Sequence, residues 1–198
     1  MEKPFAPSCQ RNQQVILDVL KNTINSDHGN LLEIGSGTGQ HAVFMAPHFS
    51  QLQWHTSDLL ENHAGIKMWL ADSASHNISL PIEFESGTSD FPDIDVDIVF
   101  TTNTLHIMSW QNVKTLIKQL GMHLKPGAQI VIYGPFNYKG QFTSGSNAQF
   151  DLWLKKQEQH RGIRDFESIV NLMSDAAIIL KDDIEMPANN RILHFVKN

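Results

Sequence analysis

Short apolar runs alternate along this chain with longer stretches of helical spacing. Val15, Ile16, Val19 and Leu20 share one face of a helix over about 13–25, with Asn12 as its predicted cap. A strand over 30–34 follows, then a helix to about 48, then a strand over 53–57 that ends at Asp58. Ile66, Trp69 and Leu70 turn inward on a helix over about 61–75, and 82–85 reads as the third strand. Residues 97–102 hold Ile98, Val99 and Phe100, the continuous apolar run of a central parallel strand. Ser109 is the predicted cap of a helix over about 110–123, with Val113, Leu116, Ile117 and Leu120 inward, and Lys125-Pro126-Gly127 ends it as a turn. The fifth strand covers 129–133. Residues 134–147, rich in Gly, Ser and Asn, read as a long functional loop. Helices over about 148–158 and 166–176 follow, the first carrying Trp153 on a packing face. Segments 178–185 and 191–196 close the chain as an antiparallel pair.

Strands alternating with helices predict a doubly wound α/β sheet with right-handed crossovers. Such sheets bind ligands at the carboxyl ends of their strands. Glu33, Asp58, Glu85 and Asn103 all fall at or near those ends. The 198 residues fit one domain, and residues 1–12, with Pro4, Pro7 and Arg11, read as an irregular arm expected to fold over that carboxyl edge.

Composition narrows the function. With 41% hydrophobic and 18% charged residues the chain is an ordinary globular one. A formal charge of −6 and the lack of a basic cluster argue against duplex nucleic acid, which needs Lys and Arg on its phosphates. Cys9 is the single cysteine, so neither an internal disulfide nor a cysteine metal site is expected, and the scattered His41, His48, His55 and His63 suggest no required metal. No leader pattern or long apolar run is read, so the expectation is a cytoplasmic protein that does not enter a membrane. No heptad pattern points to an oligomeric state.

The most informative run is Leu31-Leu32-Glu33-Ile34-Gly35-Ser36-Gly37-Thr38-Gly39. A strand carries a carboxylate near its end and then breaks into glycines that feed a helix N-terminus, where free N–H groups can receive a ligand. Dinucleotide sites favour G-x-G-x-x-G with a pyrophosphate on that terminus. Here Glu33 stands two residues before the first glycine, where it would repel a pyrophosphate and attract a cationic amino acid. The loop resembles motif I of the class I S-adenosylmethionine-dependent methyltransferases. That resemblance implies a Rossmann-like fold, with a seven-stranded, mostly parallel sheet and an antiparallel last strand. It also implies S-adenosylmethionine as cofactor, Glu33 near its amino group, and Gly35, Ser36 and Gly37 beneath it.

Asp58, 19 residues beyond Gly39, can accept two hydrogen bonds from a ribose, or cap the next helix. Glu85 and Ser86 end the third strand, where the resembled class places a polar residue on the adenine; a solvated loop carboxylate is the plainer reading. Leu59 would give the adenine an apolar contact. After the fourth strand, Asn103 offers an amide to cofactor or acceptor, and His106 has the intrinsic pKa of a general base, although most of the ten histidines have structural or exposed roles to fill. Asn103 does not stand in the Asn-Pro-Pro-Tyr sequence of enzymes that methylate amino groups on bases or glutamine.

A second set of motifs runs through nearly the whole chain: Ala6-Pro7-Ser8-Cys9-Gln10-Arg11-Asn12, Gly39-Gln40-His41, Asn103-Thr104-Leu105-His106-Ile107, Tyr133-Gly134-Pro135-Phe136, Ser146-Asn147-Ala148, Gly162-Ile163-Arg164-Asp165 and Met186-Pro187-Ala188-Asn189-Asn190. Together they resemble the methyltransferase-like protein 26 family, which implies the same fold and cofactor and supplies no acceptor. Arg11 would hold an anionic acceptor group if the arm covers the sheet edge, with Asn12, Asn147 and Asn189 as polar contacts and Trp110, Tyr133 and Phe136 as pocket walls. The plainer alternative makes the aromatics core residues and the asparagines turn formers. The leading expectation is a methyltransferase acting on a small molecule. A binding module without catalysis, acting through a partner, is the second, and a nicotinamide-dependent oxidoreductase the third.

Overall fold

A computed structural model describes residues 2–24 and 29–198. The chain forms two compact units, residues 1–85 with 89–100, and residues 86–88 with 101–198. The first holds α1 (Pro7–Thr23), β1 (Asn30–Ile34), α2 (Gln40–Met45), β2 (Gln53–Asp58), α3 (His63–Ala71), β3 (Ile78–Glu83) and most of β4 (Ile98–Thr102). The second holds α4 (Trp110–His123), β5 (Gln129–Gly134), β6 (Phe136–Asn137), α5 (Gly145–Gln157), β7 (Arg164–Asp165), α6 (Phe166–Asp175), β8 (Ile178–Met186) and β9 (Asn190–Lys197). The seven-stranded sheet runs β3-β2-β1-β4-β5-β9-β8, and β6 and β7 pair separately. This is a Rossmann-like α/β fold.

In the first unit β1 is flanked by parallel neighbours, with Glu33 opposite Thr56 on β2 and Phe100 on β4. Leu31, Leu32, Trp54, Ile98 and Phe100 are fully buried, as strands covered on both faces require. Trp54 meets Phe100 edge-on at 5.7 Å. In the second unit β9 runs antiparallel to both β5 and β8, as the closing pair predicted. Ser109 caps α4 by accepting from the Asn112 N–H, and Val113, Leu116, Ile117 and Leu120 are its buried face.

Four elements differ from expectation. The arm through residue 12 is mostly helix: α1 begins at Pro7, because proline fits the first helical position, where no N–H is needed. Asn12 is therefore not a cap but a buried residue inside α1; the expected end of that helix, Asn25, lies outside the described residues. The helix over 61–75 is a 3₁₀ turn at Leu60–Asn62 followed by the shorter α3. The third strand begins at Ile78 and ends at Glu83, so Glu85 and Ser86 lie beyond it. The 134–147 loop contains β6, and α5 starts at Gly145, where the Ser144 hydroxyl accepts from the Asn147 N–H. No helix among the described residues is long and apolar enough to cross a membrane.

Candidate functional site

In the first unit the chemistry gathers at the carboxyl end of β1. Glu33 is 1% exposed. Its Oε2 accepts from the Trp54 indole N–H at 3.0 Å, while its Oε1 is buried with no hydrogen-bond partner. Burial pushes the carboxyl up from 4.5 to about 7, with hydrogen bonding from Trp54 and Ser36 opposing the rise and the nearby Asp58 charge adding a smaller push. Glu33 also presses on Cys9 of α1, whose thiol, mainly through burial, is pushed up to about 11.

The glycine loop is held by β2. Gly35 and Ser36 donate their N–H groups to the Ser57 carbonyl, each at 3.0 Å, and the Ser57 hydroxyl donates to the Glu33 carbonyl at 2.7 Å. Asp58 Oδ2 accepts from the Gly37 N–H at 2.6 Å; its Oδ1 accepts from the Leu59 N–H and the Asn62 amide, both at 2.7 Å. One carboxylate thus fixes the loop and starts the next turn. The two later glycines answer different needs. Gly37 has φ +60 and faces open space, with nothing within 4 Å of a Cβ built there. At Gly39, with φ +86, a Cβ would lie 3.3 Å from the Ile66 backbone of α3, so glycine is what lets loop and helix approach.

Residues 3–6 run along α3. Lys3 lies 3.7 Å over the Trp69 ring, Phe5 stacks on the same ring at 6.5 Å, and the Pro4 carbonyl accepts from its indole N–H at 2.6 Å. Ala6 N–H donates to the Gln40 amide oxygen at the start of α2. Arg11 is exposed on α1. The Asn12 amide oxygen meets His41 Nε2 at 2.8 Å, and burial holds that imidazole down at about 4.

The second unit carries the segment after β4. Asn103 takes φ +57, a left-handed conformation asparagine tolerates, and its N–H donates to the Tyr133 carbonyl at 2.8 Å. His106 is buried and meets Phe150 of α5 edge-on at 5.3 Å. Burial first, then the charges of Arg164 and Arg161, hold its imidazole down at about 4. The segment is fixed from the far side. Arg164 donates from Nε to the Leu105 carbonyl at 2.9 Å and from Nη2 to the carbonyls of Met108 and His160; the Gly162 N–H donates to the His106 carbonyl at 2.9 Å.

The remaining expected residues take several places. Leu59 is 38% exposed. Glu85 is exposed, and its backbone N–H donates to Ser89 Oγ at 3.0 Å. Ser86 is buried and donates to the Asn112 carbonyl at 2.8 Å. Tyr133 and Phe136 are buried, and Trp110 lies 5.8 Å under the Arg164 guanidinium. The Asn147 amide donates to the Thr143 hydroxyl at 2.9 Å and to the Asn189 carbonyl at 3.1 Å, so these two asparagines tie the start of α5 to the β8–β9 turn. Trp153, expected to pack, is 53% exposed and stacks on Phe150 at 5.9 Å, because α5 turns that face outward. No group of three or more His, Cys, Asp or Glu among the described residues is placed to hold a metal ion.

Trp54, Phe150 and Arg161 were not singled out by the sequence, and Arg164 stood in a motif without a role. Trp54 is the one apolar residue of β2, a strand otherwise made of Gln, His, Thr, Ser and Asp, and its N–H gives no periodic signal. The two arginines fall where no hydrophobic period marks the chain, and only the crossing of chain segments reveals what they touch.

The family model described as "Protein of unknown function (DUF938)" matches residues 3–197. Among solved structures, the chain is similar to an O-methyltransferase family protein from Burkholderia thailandensis, with TM-score 0.82 and 16% identity over 96% of this chain and 57% of that one. It is similar to the mitomycin 7-O-methyltransferase MmcR, with TM-score 0.80 and 13% identity over 94% of this chain and 54% of the other. It is also similar to human N-acetylserotonin methyltransferase in complex with SAM, with TM-score 0.76 and 16% identity over 96% and 53%. The chain therefore spans little more than half the length of these proteins, and at such identities the likeness is one of fold.

Proposed function

This chain belongs to the family described as "Protein of unknown function (DUF938)", and from its own residues we propose that it is an S-adenosylmethionine-dependent methyltransferase acting on a small-molecule acceptor. The observation that carries this reading is Glu33 Oε1, a buried acceptor without a partner beside a glycine loop whose Gly37 faces open space. An ammonium group satisfies such an oxygen, whereas a pyrophosphate is repelled by it. The donor set thus fits S-adenosylmethionine and disfavours a nicotinamide dinucleotide. When bound, that cofactor supplies a methyl group on a sulfonium, ready for in-line transfer to a nucleophile.

The chain's residues divide the work. Glu33, ionised, holds the cofactor's ammonium, and the backbone of Gly35, Ser36 and Gly37 receives it closely. Asp58 presets the loop; of its four lone-pair positions three are occupied, which leaves one for a ribose hydroxyl. Leu59, Glu85, Ser86 and Asn103 are assigned to the nucleoside by their places after the strands. Neutral His106 is the proposed proton acceptor, with Arg11, Asn12, Trp110, Tyr133, Phe136, Asn147 and Asn189 assigned to the acceptor. The substrates named for solved neighbours, such as mitomycin and N-acetylserotonin, are small molecules and support that class of acceptor. The resemblance to the methyltransferase-like protein 26 family and a cytoplasmic location belong to the same reading.

Isothermal titration with S-adenosylmethionine, S-adenosylhomocysteine and NAD tests it. Saturable binding of the first two alone supports the proposal; binding of NAD alone overturns it. One observation favours a binding module without catalysis: an imidazole held at about 4 is a weak base at neutral pH. Cofactor-dependent methyl transfer to any metabolite in an extract removes that second reading.

A further inference from the structure

Residues 161–164 are fixed against the segment that carries His106. Arg161 N–H donates to the Glu158 carbonyl at 3.0 Å, Gly162 N–H to the His106 carbonyl at 2.9 Å, and Ile163 N–H to Asp151 Oδ1 at 2.8 Å. The Arg164 guanidinium is occupied by the carbonyls of Leu105, Met108 and His160. The other oxygen of buried Asp151 is taken by Lys155 at 2.6 Å. In this otherwise satisfied run one donor stands out: Arg161 Nε is buried and has no hydrogen-bond partner. A guanidinium N–H withdrawn from water without a partner is unfavourable, and native structures place them where something meets them.

We propose that Arg161 is the anchor for a carboxylate group on the acceptor. Along one edge of a guanidinium the Nε–H and an Nη–H lie parallel, matching the two oxygens of a carboxylate. One guanidinium balances one carboxylate charge, whereas a phosphate brings more charge than this residue offsets. The charge of Arg161 is felt at His106, which stays neutral at pH 7 and does not compete for the anion. The inference rests on the methyltransferase reading only for the ligand's identity as acceptor; the anion site itself does not depend on it.

Two experiments separate these parts. In protein labelled with ¹⁵N at arginine, acetate is expected to shift the Arg161 Nε–H resonance saturably, with the signal identified by its loss in Arg161→Lys. No response to acetate, or a response to inorganic phosphate alone, overturns the carboxylate assignment. Separately, methyl-labelled S-adenosylmethionine is incubated with a metabolite extract fractionated on an anion exchanger. Label is expected in compounds from the retained fractions, and Arg161→Met is expected to raise KM for the labelled acceptor about tenfold or more, with kcat and cofactor affinity near wild type. Label confined to the flow-through, or an unchanged KM, overturns the anchor. Absent cofactor binding and absent label together would refute the methyltransferase reading, while the acetate titration would still decide the anion site. Arg161→Lys, which keeps the charge and loses the fork, is the check should the methionine variant fold poorly.

Discussion

Replacing Glu33 by glutamine should move stability and binding in opposite directions. The carboxyl rises from 4.5 to about 7 on folding; at about 1.4 kcal/mol per pH unit, keeping it ionised above pH 7 costs the free protein about 3 kcal/mol. Below about pH 4.5 the group is protonated in both states, and the contribution it makes there is lost as pH rises through about 7. A side-chain amide would keep the shape and the acceptor for Trp54 but carry no charge, so Glu33→Gln should raise the stability of the free protein at pH 8 by up to about 3 kcal/mol. For a domain of this size that is a Tm gain of roughly 2–4 °C per kcal/mol. The same change removes a charge-assisted hydrogen bond of about 1.5–3 kcal/mol, so S-adenosylmethionine should bind about 10- to 150-fold more weakly. In the wild type, affinity should fall about fivefold between pH 7 and pH 6 and about tenfold per unit below that, since the ionised form is needed, and Glu33→Gln should flatten that limb. Thermal denaturation at pH 5 and 8, with calorimetric titration over the same range, reads both effects. A variant that binds as tightly as wild type, or one less stable at pH 8, refutes the reasoning.

The two later glycines should separate by phenotype. Gly39→Ala meets the Ile66 backbone at 3.3 Å in a left-handed conformation and should lower stability by about 2 kcal/mol or more; Gly37→Ala meets nothing, so it should lower stability by about 1 kcal/mol and act chiefly on cofactor affinity, as melts and titrations of both variants would show. His41 is held at about 4 against an ordinary 6.5, so its contribution is full above pH 6.5 and lost as pH falls toward 4; His41→Gln should flatten the acid limb of denaturant-derived stability by at most about 3 kcal/mol. Arg164→Met should raise the His106 pKa, followed by imidazole NMR, yet leave it below 6.5 because burial is the larger cause.

Strand positions and the sheet were legible because apolar runs and helical spacing are local signals. β1, β2, β4 and α4 fall where the pattern puts them, and the glycine loop stands where Glu33-x-Gly-x-Gly-x-Gly places it. The start of α1 was not legible, since Pro7 reads as a breaker by type and as a helix starter only once the turn after it is known. Asp58 shows the same limit at the site. Ribose ligand and helix cap were the open readings, and what its Oδ2 does in the fold is hold Gly37, a contact between residues 21 apart. The partner of Asn12 is set by how α1 meets α2, which no spacing encodes.

The placement of β9 between β5 and β8 bears on how the protein is made. Synthesis delivers β5 well before Asn190–Lys197, the strand that joins it to β8. Until those residues leave the ribosome, β5 presents an open edge of Gln129–Gly134, most of it apolar, and the contacts that close it are far apart in sequence. A nascent chain stalled before residue 190 should thus be more prone to aggregate than one that already includes β9, and the β8–β9 hairpin acts as the clasp that ends that exposure.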